Sequence, residues 1–130
     1  MRLSENFTLK ELTKTSTGIP NLITDLEIER LRLLCQKVLQ PLRDEFGSAI
    51  IVNSGYRSPA VNKAVGGVPT SQHVRGEAAD ITAGSKERNK RLFEMLKTIE
   101  VDQAIDEKNY SWIHVSYTIC RKNRNQFLHI

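Results

Sequence analysis

Two histidines and an aspartate set the chemistry open to this sequence. His73 and Asp80 stand seven residues apart in Ser71-Gln72-His73-Val74-Arg75-Gly76-Glu77-Ala78-Ala79-Asp80-Ile81, around a glycine and a small-residue run, and His114 follows in a segment with strand character. Two imidazoles and one carboxylate make a three-ligand set that leaves one position of a tetrahedral zinc open for water, the mark of a catalytic rather than a structural site. The spacing does not suit one helix face, where ligands recur three or four residues apart. Gly76 and the run Glu77 to Thr82 read as a turn entering a strand, so His73 approaches from a loop and Asp80 from the strand after it, with Ala78 and Ala79 leaving room beside the ion. Each residue also has a plainer reading, Asp80 as a turn cap and His73 as a solvated loop histidine. By count alone, two histidines and one aspartate are a weak signal.

The elements that must position these residues are written in local chemistry. Thr8 and Glu11 form a capping-box pair with Phe7 and Leu12 as its hydrophobic staple, and Thr24 and Glu27 repeat the box. The second helix carries Ile28, Leu31, Cys35, Val38, Leu39 and Leu42 at helical spacing, runs to about Phe46 before Gly47, and should kink at Pro41. Ala49 to Ser54 reads as a buried strand by its β-branched content, delivering Gly55-Tyr56-Arg57-Ser58 at its end. Ser58-Pro59 opens a short helix to about Val65, and Ser85 caps another from Lys86 to Thr98. Val101 to Glu107 and Trp112 to Tyr117 read as a hairpin around Lys108-Asn109-Tyr110, with Gln126 to Ile130 as a closing strand in which His129 is structural. Alternation groups Trp112, His114 and Ser116 on one face, and Gln103, Ile105 and Glu107 on one face of the neighbouring strand.

At 130 residues and 14.8 kDa the chain is read as one domain, residues 1–130, with a core that needs no disulfide staples. No apolar run approaches the roughly 20 residues of a membrane span. Met1 to Pro20 is polar and has no apolar core of a signal peptide, so synthesis in the cytoplasm is the expectation. Nineteen Lys and Arg against fifteen Asp and Glu give +4, compatible with an anionic polymer as partner. The basic clusters, Lys86 to Lys97 on a helix and Arg121, Lys122 and Arg124 in a turn, read as solvated surface. Cys35 and Cys120 follow no Cys-x-x-Cys pattern and read as free thiols. Nucleic acid is not expected as a partner, because no recognition motif appears and eight aromatic residues offer no stacking platform.

Ser71 to Asp80 resembles the SxHxxGxAxD signature of the zinc D-Ala-D-Ala carboxypeptidase and peptidoglycan L,D-endopeptidase family, and Trp112-Ile113-His114-Val115-Ser116-Tyr117 resembles its second zinc motif. The likeness extends through Ser54-Gly55-Tyr56-Arg57-Ser58 and Asp102-Gln103, and so covers nearly the whole chain. It implies an α+β fold of the Hedgehog/DD-peptidase kind, a small antiparallel sheet with helices packed on it. It also implies one zinc ion (Zn2+) per chain on His73, Asp80 and His114, and hydrolysis of a bond in peptidoglycan stem peptides by metal-activated water. Arg57, whose planar fork suits a carboxylate or an oxyanion, is placed by the likeness in the substrate pocket, where an isolated arginine would read as a surface ion-pair partner. Ser71 and Gln103 are expected as further hydrogen-bond partners for substrate. Asp102 to Glu107 matches the family's DQxIxE pattern, making Glu107 the general base; Asp106 is the alternative should the hairpin register differ by one, and the position three before His114 is Ser111. The expected setting is a monomer acting on the bacterial cell wall, reached by a phage-type release. The rival reading is a non-catalytic zinc-stabilised binding domain of the same fold, which would lack the base or Arg57.

Overall fold

In the computed structural model, which describes residues 1–130, five strands form one mixed sheet, with β3 (Ile51–Ser54), β4 (Ala78–Thr82), β6 (Trp112–Ser116), β5 (Gln103–Glu107) and β7 (Gln126–His129) side by side in that order. The N-terminal strands β1 (Arg2–Ser4) and β2 (Phe7–Thr8) make a separate small ribbon that runs into α1 (Leu9–Thr13), whose Thr8 and Glu11 close the expected capping box. Thr24 and Glu27 do the same for α2 (Asp25–Leu34). The helix does not run on to Phe46 as one α-helical rod. A π-helical turn at Cys35–Leu39 intervenes before α3 (Gln40–Phe46), with the Gln40 N–H reaching back to the Cys35 carbonyl. Pro41 has no N–H to give to a carbonyl four residues back, so the ladder changes register just before it.

β3 (Ile51–Ser54) lies at the edge of the main sheet, where sequence suggested a buried strand. Val52 enters the core while Ile51 is 51% exposed, because the core lies on one face of the strand only. α4 (Pro59–Ala64) starts on Ser58, whose hydroxyl accepts from the Val61 N–H. β4 (Ala78–Thr82), β5 (Gln103–Glu107) and β6 (Trp112–Ser116) form the antiparallel centre, with α5 (Lys86–Leu96) lying over β5 and β6 and against α3. β7 (Gln126–His129) pairs with β5 in parallel. β6 returns antiparallel on one side of β5, so the next strand, if it turns back and crosses to the other side, must run with β5.

Strand alternation divides the sheet chemically. Ala79 and Ile81 of β4, Ala104 of β5, and Ile113 and Val115 of β6 point into the core with Leu92, Phe93 and Leu96 of α5. Each of these larger apolar side chains contributes on the order of 1.5–3 kcal/mol by leaving water. The other face of the same strands carries Asp80, Gln103, Ile105, Glu107, Trp112 and His114 into an open groove. The turn between β5 and β6 holds Lys108, Asn109 and Tyr110 in succession in the left-handed region. Asp106, pointing away from the groove, pins this turn by accepting from the Tyr110 N–H and pairing with His129.

Candidate metal centre and groove

The sheet register brings two of the three expected ligands together. Asp80 on β4 is directly opposite His114 on β6, and Ile105 on β5 flanks His114 on the other side. Directly opposed residues place their Cβ atoms about 4.5–5.5 Å apart, close enough for both side chains to reach one ion. His114 Nδ1 lies 3.1 Å from Asp80 Oδ1, and His73 Nε2 lies 3.3 Å from the same oxygen. The three ligand atoms fall within 4.8 Å of one another.

His73 arrives from the loop before β4 as the sequence suggested. The loop is a chain of turns: Val74 donates to the Ser71 carbonyl, Arg75 to that of Gln72, and Gly76 to that of His73. Gly76 has φ +75°, and a Cβ there would lie 2.8 Å from the Glu27 carbonyl of α2, so only glycine lets the loop turn back this tightly. His73 Nδ1 is 2.7 Å from the Gly55 carbonyl at the end of β3. A carbonyl can only accept, so Nδ1 carries a proton and the Nε2 lone pair of the neutral ring faces Asp80.

Around this cluster is a cavity of about 530 Å³ lined mainly by polar side chains. Arg57 lines it, donating to Ser54 Oγ at 3.1 Å, to Asn62 Oδ1 at 3.4 Å and to Asp80 Oδ2 at 3.4 Å. Glu107 lines it from two residues beyond Ile105 on β5, and its Oε2 accepts from the Trp112 indole N–H at 3.0 Å. It therefore shares the groove with His114 without touching it, whereas Asp106 is turned to the opposite face. Ser71 lines the groove while its Oγ accepts from the His73 backbone N–H at 3.2 Å, and Gln103 does so while donating to Gln126 at 2.7 Å. His129 lies with Asp106, away from the cavity.

Other side chains that orient this site carried no assigned role in the sequence. Gln72 joins His114 Nε2 at 2.9 Å to Asp102 Oδ2 at 3.0 Å. Asp102 is 0% exposed and is gripped by both Arg121 and Arg124. These arginines come from the turn that read as solvated surface, and Arg124 also reaches the groove. Glu77 is likewise buried, held by Arg75 at 2.9 Å and by the Thr118 hydroxyl at 2.7 Å, which fastens the His73 loop to the chain after β6. The available signal for Asp102 was an acid at a strand start followed by a basic turn, a pattern that local spacing does not interpret.

The donor set fits a divalent cation. Burial alone would raise the Asp80 carboxyl, but hydrogen bonds from His114 and then His73 outweigh it and hold the group well below the ordinary carboxylate range. The bond from His73 requires a second proton on that ring, whose Nδ1 proton already faces Gly55, whereas the bond from His114 requires only that Nδ1 carry a proton. With a neutral His73, and with the single proton of His114 on Nε2, two lone pairs and a carboxylate oxygen converge on one point, an arrangement that a cation relieves. Two imidazoles and one carboxylate are a zinc donor set with room for a further ligand from the groove.

The comparisons with known proteins agree with this geometry. A curated relative, the zinc D-Ala-D-Ala carboxypeptidase of Streptomyces albus G, is 36% identical over 83 residues, spanning 62% of this chain and 32% of that protein. The chain thus covers about a third of its relative's length. The family model of Peptidase M15 matches residues 5–116, a span that takes in α1, the Gly55–Arg57 corner, the His73 loop and the strands that carry Asp80 and His114. On that match, the chain belongs to the Peptidase M15 family.

Proposed function

We propose that this protein is a zinc peptidase that hydrolyses a bond in the peptide part of peptidoglycan, either the terminal D-Ala-D-Ala bond or an internal L,D bond. The observation that carries the reading is the convergence of His73 Nε2, Asp80 Oδ1 and His114 Nδ1 at the floor of a groove that also holds a carboxylate and a guanidinium. The relative's name, zinc D-Ala-D-Ala carboxypeptidase, supports the metal and the substrate class. Zinc bound by these three side chains would polarise the scissile carbonyl and lower the pKa of its water toward ~7.

The chain's own groups divide the remaining work. Glu107 takes the proton of the attacking water and returns it to the leaving amine, with the Trp112 indole N–H holding one carboxylate oxygen and so directing the other. Arg57 presents its fork to the substrate carboxylate or to the developing oxyanion. Its contacts to Asn62 and Asp80 are both 3.4 Å, long enough to be exchanged for a substrate oxygen. Ser71 and Gln103 offer polar atoms along the groove beside them.

Incubation of the zinc-loaded protein with muropeptides, followed by mass spectrometry, tests the reading. Loss of one D-Ala marks a carboxypeptidase, and cleavage inside the stem marks an L,D-endopeptidase. Either product should vanish on chelation and return with zinc. Intact muropeptides in the presence of a fully zinc-loaded chain would instead indicate a binding domain of the same family.

A further inference from the structure

His114 has two ring nitrogens with different neighbours, and the choice between them decides whether it can bind a metal. Nδ1 faces Asp80 Oδ1 at 3.1 Å, and Nε2 faces Gln72 Oε1 at 2.9 Å. In a neutral ring Asp80 would draw the single proton onto Nδ1, which would abolish the lone pair that a cation needs. Something must hold the proton on Nε2 instead.

The far end of Gln72 supplies the constraint. Its other amide atom is 3.0 Å from Asp102 Oδ2. Asp102 is fully buried and takes a two-pronged contact from Arg121, at 2.6 and 2.9 Å, and another from Arg124, at 3.1 and 2.9 Å, together with the Arg124 backbone N–H. Burial would raise the Asp102 carboxyl, but the Arg124 and Arg121 hydrogen bonds overcome this and hold it well below its ordinary range. An ionised carboxylate accepts and does not donate, so the Gln72 atom facing it must be the NH2 group. The Gln72 carbonyl oxygen is thereby turned to His114, and a carbonyl oxygen accepts only from an N–H.

We propose that Asp102 and Gln72 are positioning residues that fix the proton of His114 on Nε2 and so keep Nδ1 free as a metal ligand. The reach is longer than the imidazole–carboxylate or imidazole–carbonyl contact that commonly orients a ligating histidine, since an amide here relays the orientation from a carboxylate. The chain after β6 enters the site by this route, because Arg121 and Arg124 fix the charge state of Asp102. The inference rests on the reading of His114 as a metal ligand, but its proton placement can be observed without metal.

Long-range 1H–15N NMR of the full chain reads the proton position directly, and chelator competition reads the zinc Kd. In the metal-free wild type, at a pH where the ring is neutral, His114 should carry its proton on Nε2. Gln72→Met, similar in length and without hydrogen-bonding atoms, should move that proton to Nδ1 and weaken zinc binding by about 10–100-fold. Asp102→Asn leaves Gln72 in place but lets its amide turn either face to the ring, because an Asn side chain can donate as well as accept, and so should shift part of the proton to Nδ1. Circular dichroism should show all three chains folded, since neither substitution removes a backbone contact. An unchanged proton position and zinc Kd in Gln72→Met would overturn the proposal, and an unchanged proton position in Asp102→Asn would overturn the part of it that rests on Asp102. A wild type that holds the Nε2 proton yet binds no zinc would sink the metal reading alone and leave the relay standing.

Discussion

Gly55→Ala should damage both the fold and the metal centre, through one backbone contact. Gly55 follows β3, and a Cβ on it would sit 2.3 Å from the Leu12 carbonyl oxygen, 2.9 Å from its carbon and 3.0 Å from its Cα. Ordinary contact begins at 3.4 Å, so the two backbones would have to part by about 1 Å. Neither can do so freely, because the same Leu12 oxygen accepts from the Tyr56 N–H at 2.7 Å and the Leu12 side chain is fully buried. Overpacking of this kind costs about 1–3 kcal/mol, and weakening the buried hydrogen bond adds about 1 kcal/mol. The total of about 2–4 kcal/mol corresponds to a fall in Tm of roughly 8–16 °C for a domain of this size. The Gly55 carbonyl also holds His73 Nδ1, so displacing it should raise the zinc Kd by about 10-fold or more. Thermal unfolding by circular dichroism measures the first effect and chelator competition the second. A Tm within about 2 °C of the parent would refute the steric reasoning. A lowered Tm with an unchanged zinc Kd would leave the steric contact intact but remove Gly55 from the orientation of His73.

The purified chain should bind close to one zinc, and His114→Ala should lose most of it; undiminished metal in that variant, by elemental analysis, would take His114 out of the centre. Under the proposed activity, Glu107→Gln should keep zinc and lose about 10²–10⁴-fold in kcat, while Asp106→Asn keeps kcat and lowers Tm, because Asp106 serves the turn and His129 on the other face. The opposite pattern would make Asp106 the base and contradict the strand register. Arg57→Ala should retain zinc and lower kcat/KM by roughly 10²-fold, with only partial recovery in Arg57→Lys, since a point charge lacks the fork; full activity in either would leave Arg57 as an ion-pair partner of Asp80. Asp102 has its carboxyl held below the ordinary value of 3.8, so it contributes stability above that pH and loses it as the pH falls further toward its folded value. Urea unfolding of the wild type should therefore weaken between about pH 5 and 2, and Asp102→Asn should flatten part of that acid limb; an unchanged limb would mean that the buried Arg–Asp cluster does not govern it.

What could be read from the chain alone follows from how each feature is encoded. The capping boxes at Thr8 and Thr24 are local, three residues across, and appear as written. Alternation grouped Gln103, Ile105 and Glu107 on one face, and the structure turns that face to the groove, because a period of two survives any uncertainty in strand ends. The pairing of Asp80 with His114 belongs to a register across 34 residues of sequence, which spacing within either strand does not contain. The closing strand and a break at Pro41 were both legible, but the parallel pairing of that strand with β5 was not, since it depends on which neighbour the strand meets, and the break takes the form of a π-helical turn ahead of the proline where a kink was expected.

The same distinction explains why the ligands were more legible than the groups that orient them. Histidine is scarce in this chain, three residues in all, so His73 and His114 stand out by type before any geometry is known. Gln72, thirty residues from Asp102, has no such distinction, and Arg121 and Arg124 looked like any exposed basic turn until Asp102 was found buried between them. The partner of His73 is harder still to see, because it is a backbone carbonyl and every residue has one. Gly55 reveals itself only through what it lacks: without a side chain, the end of β3 can press against α1, and that close approach sets the carbonyl at 2.7 Å from His73 Nδ1. The tautomer of His73 is thus governed by backbone packing against the first helix, and under the proposed relay that of His114 is governed by a half-buried amide and a buried carboxylate. Gln72 and His73 are neighbours in one loop and both imidazoles face Asp80 Oδ1, so Gly55→Ala and Gln72→Met should weaken zinc binding non-additively in chelator competition, and strictly additive losses would show the two routes to be independent.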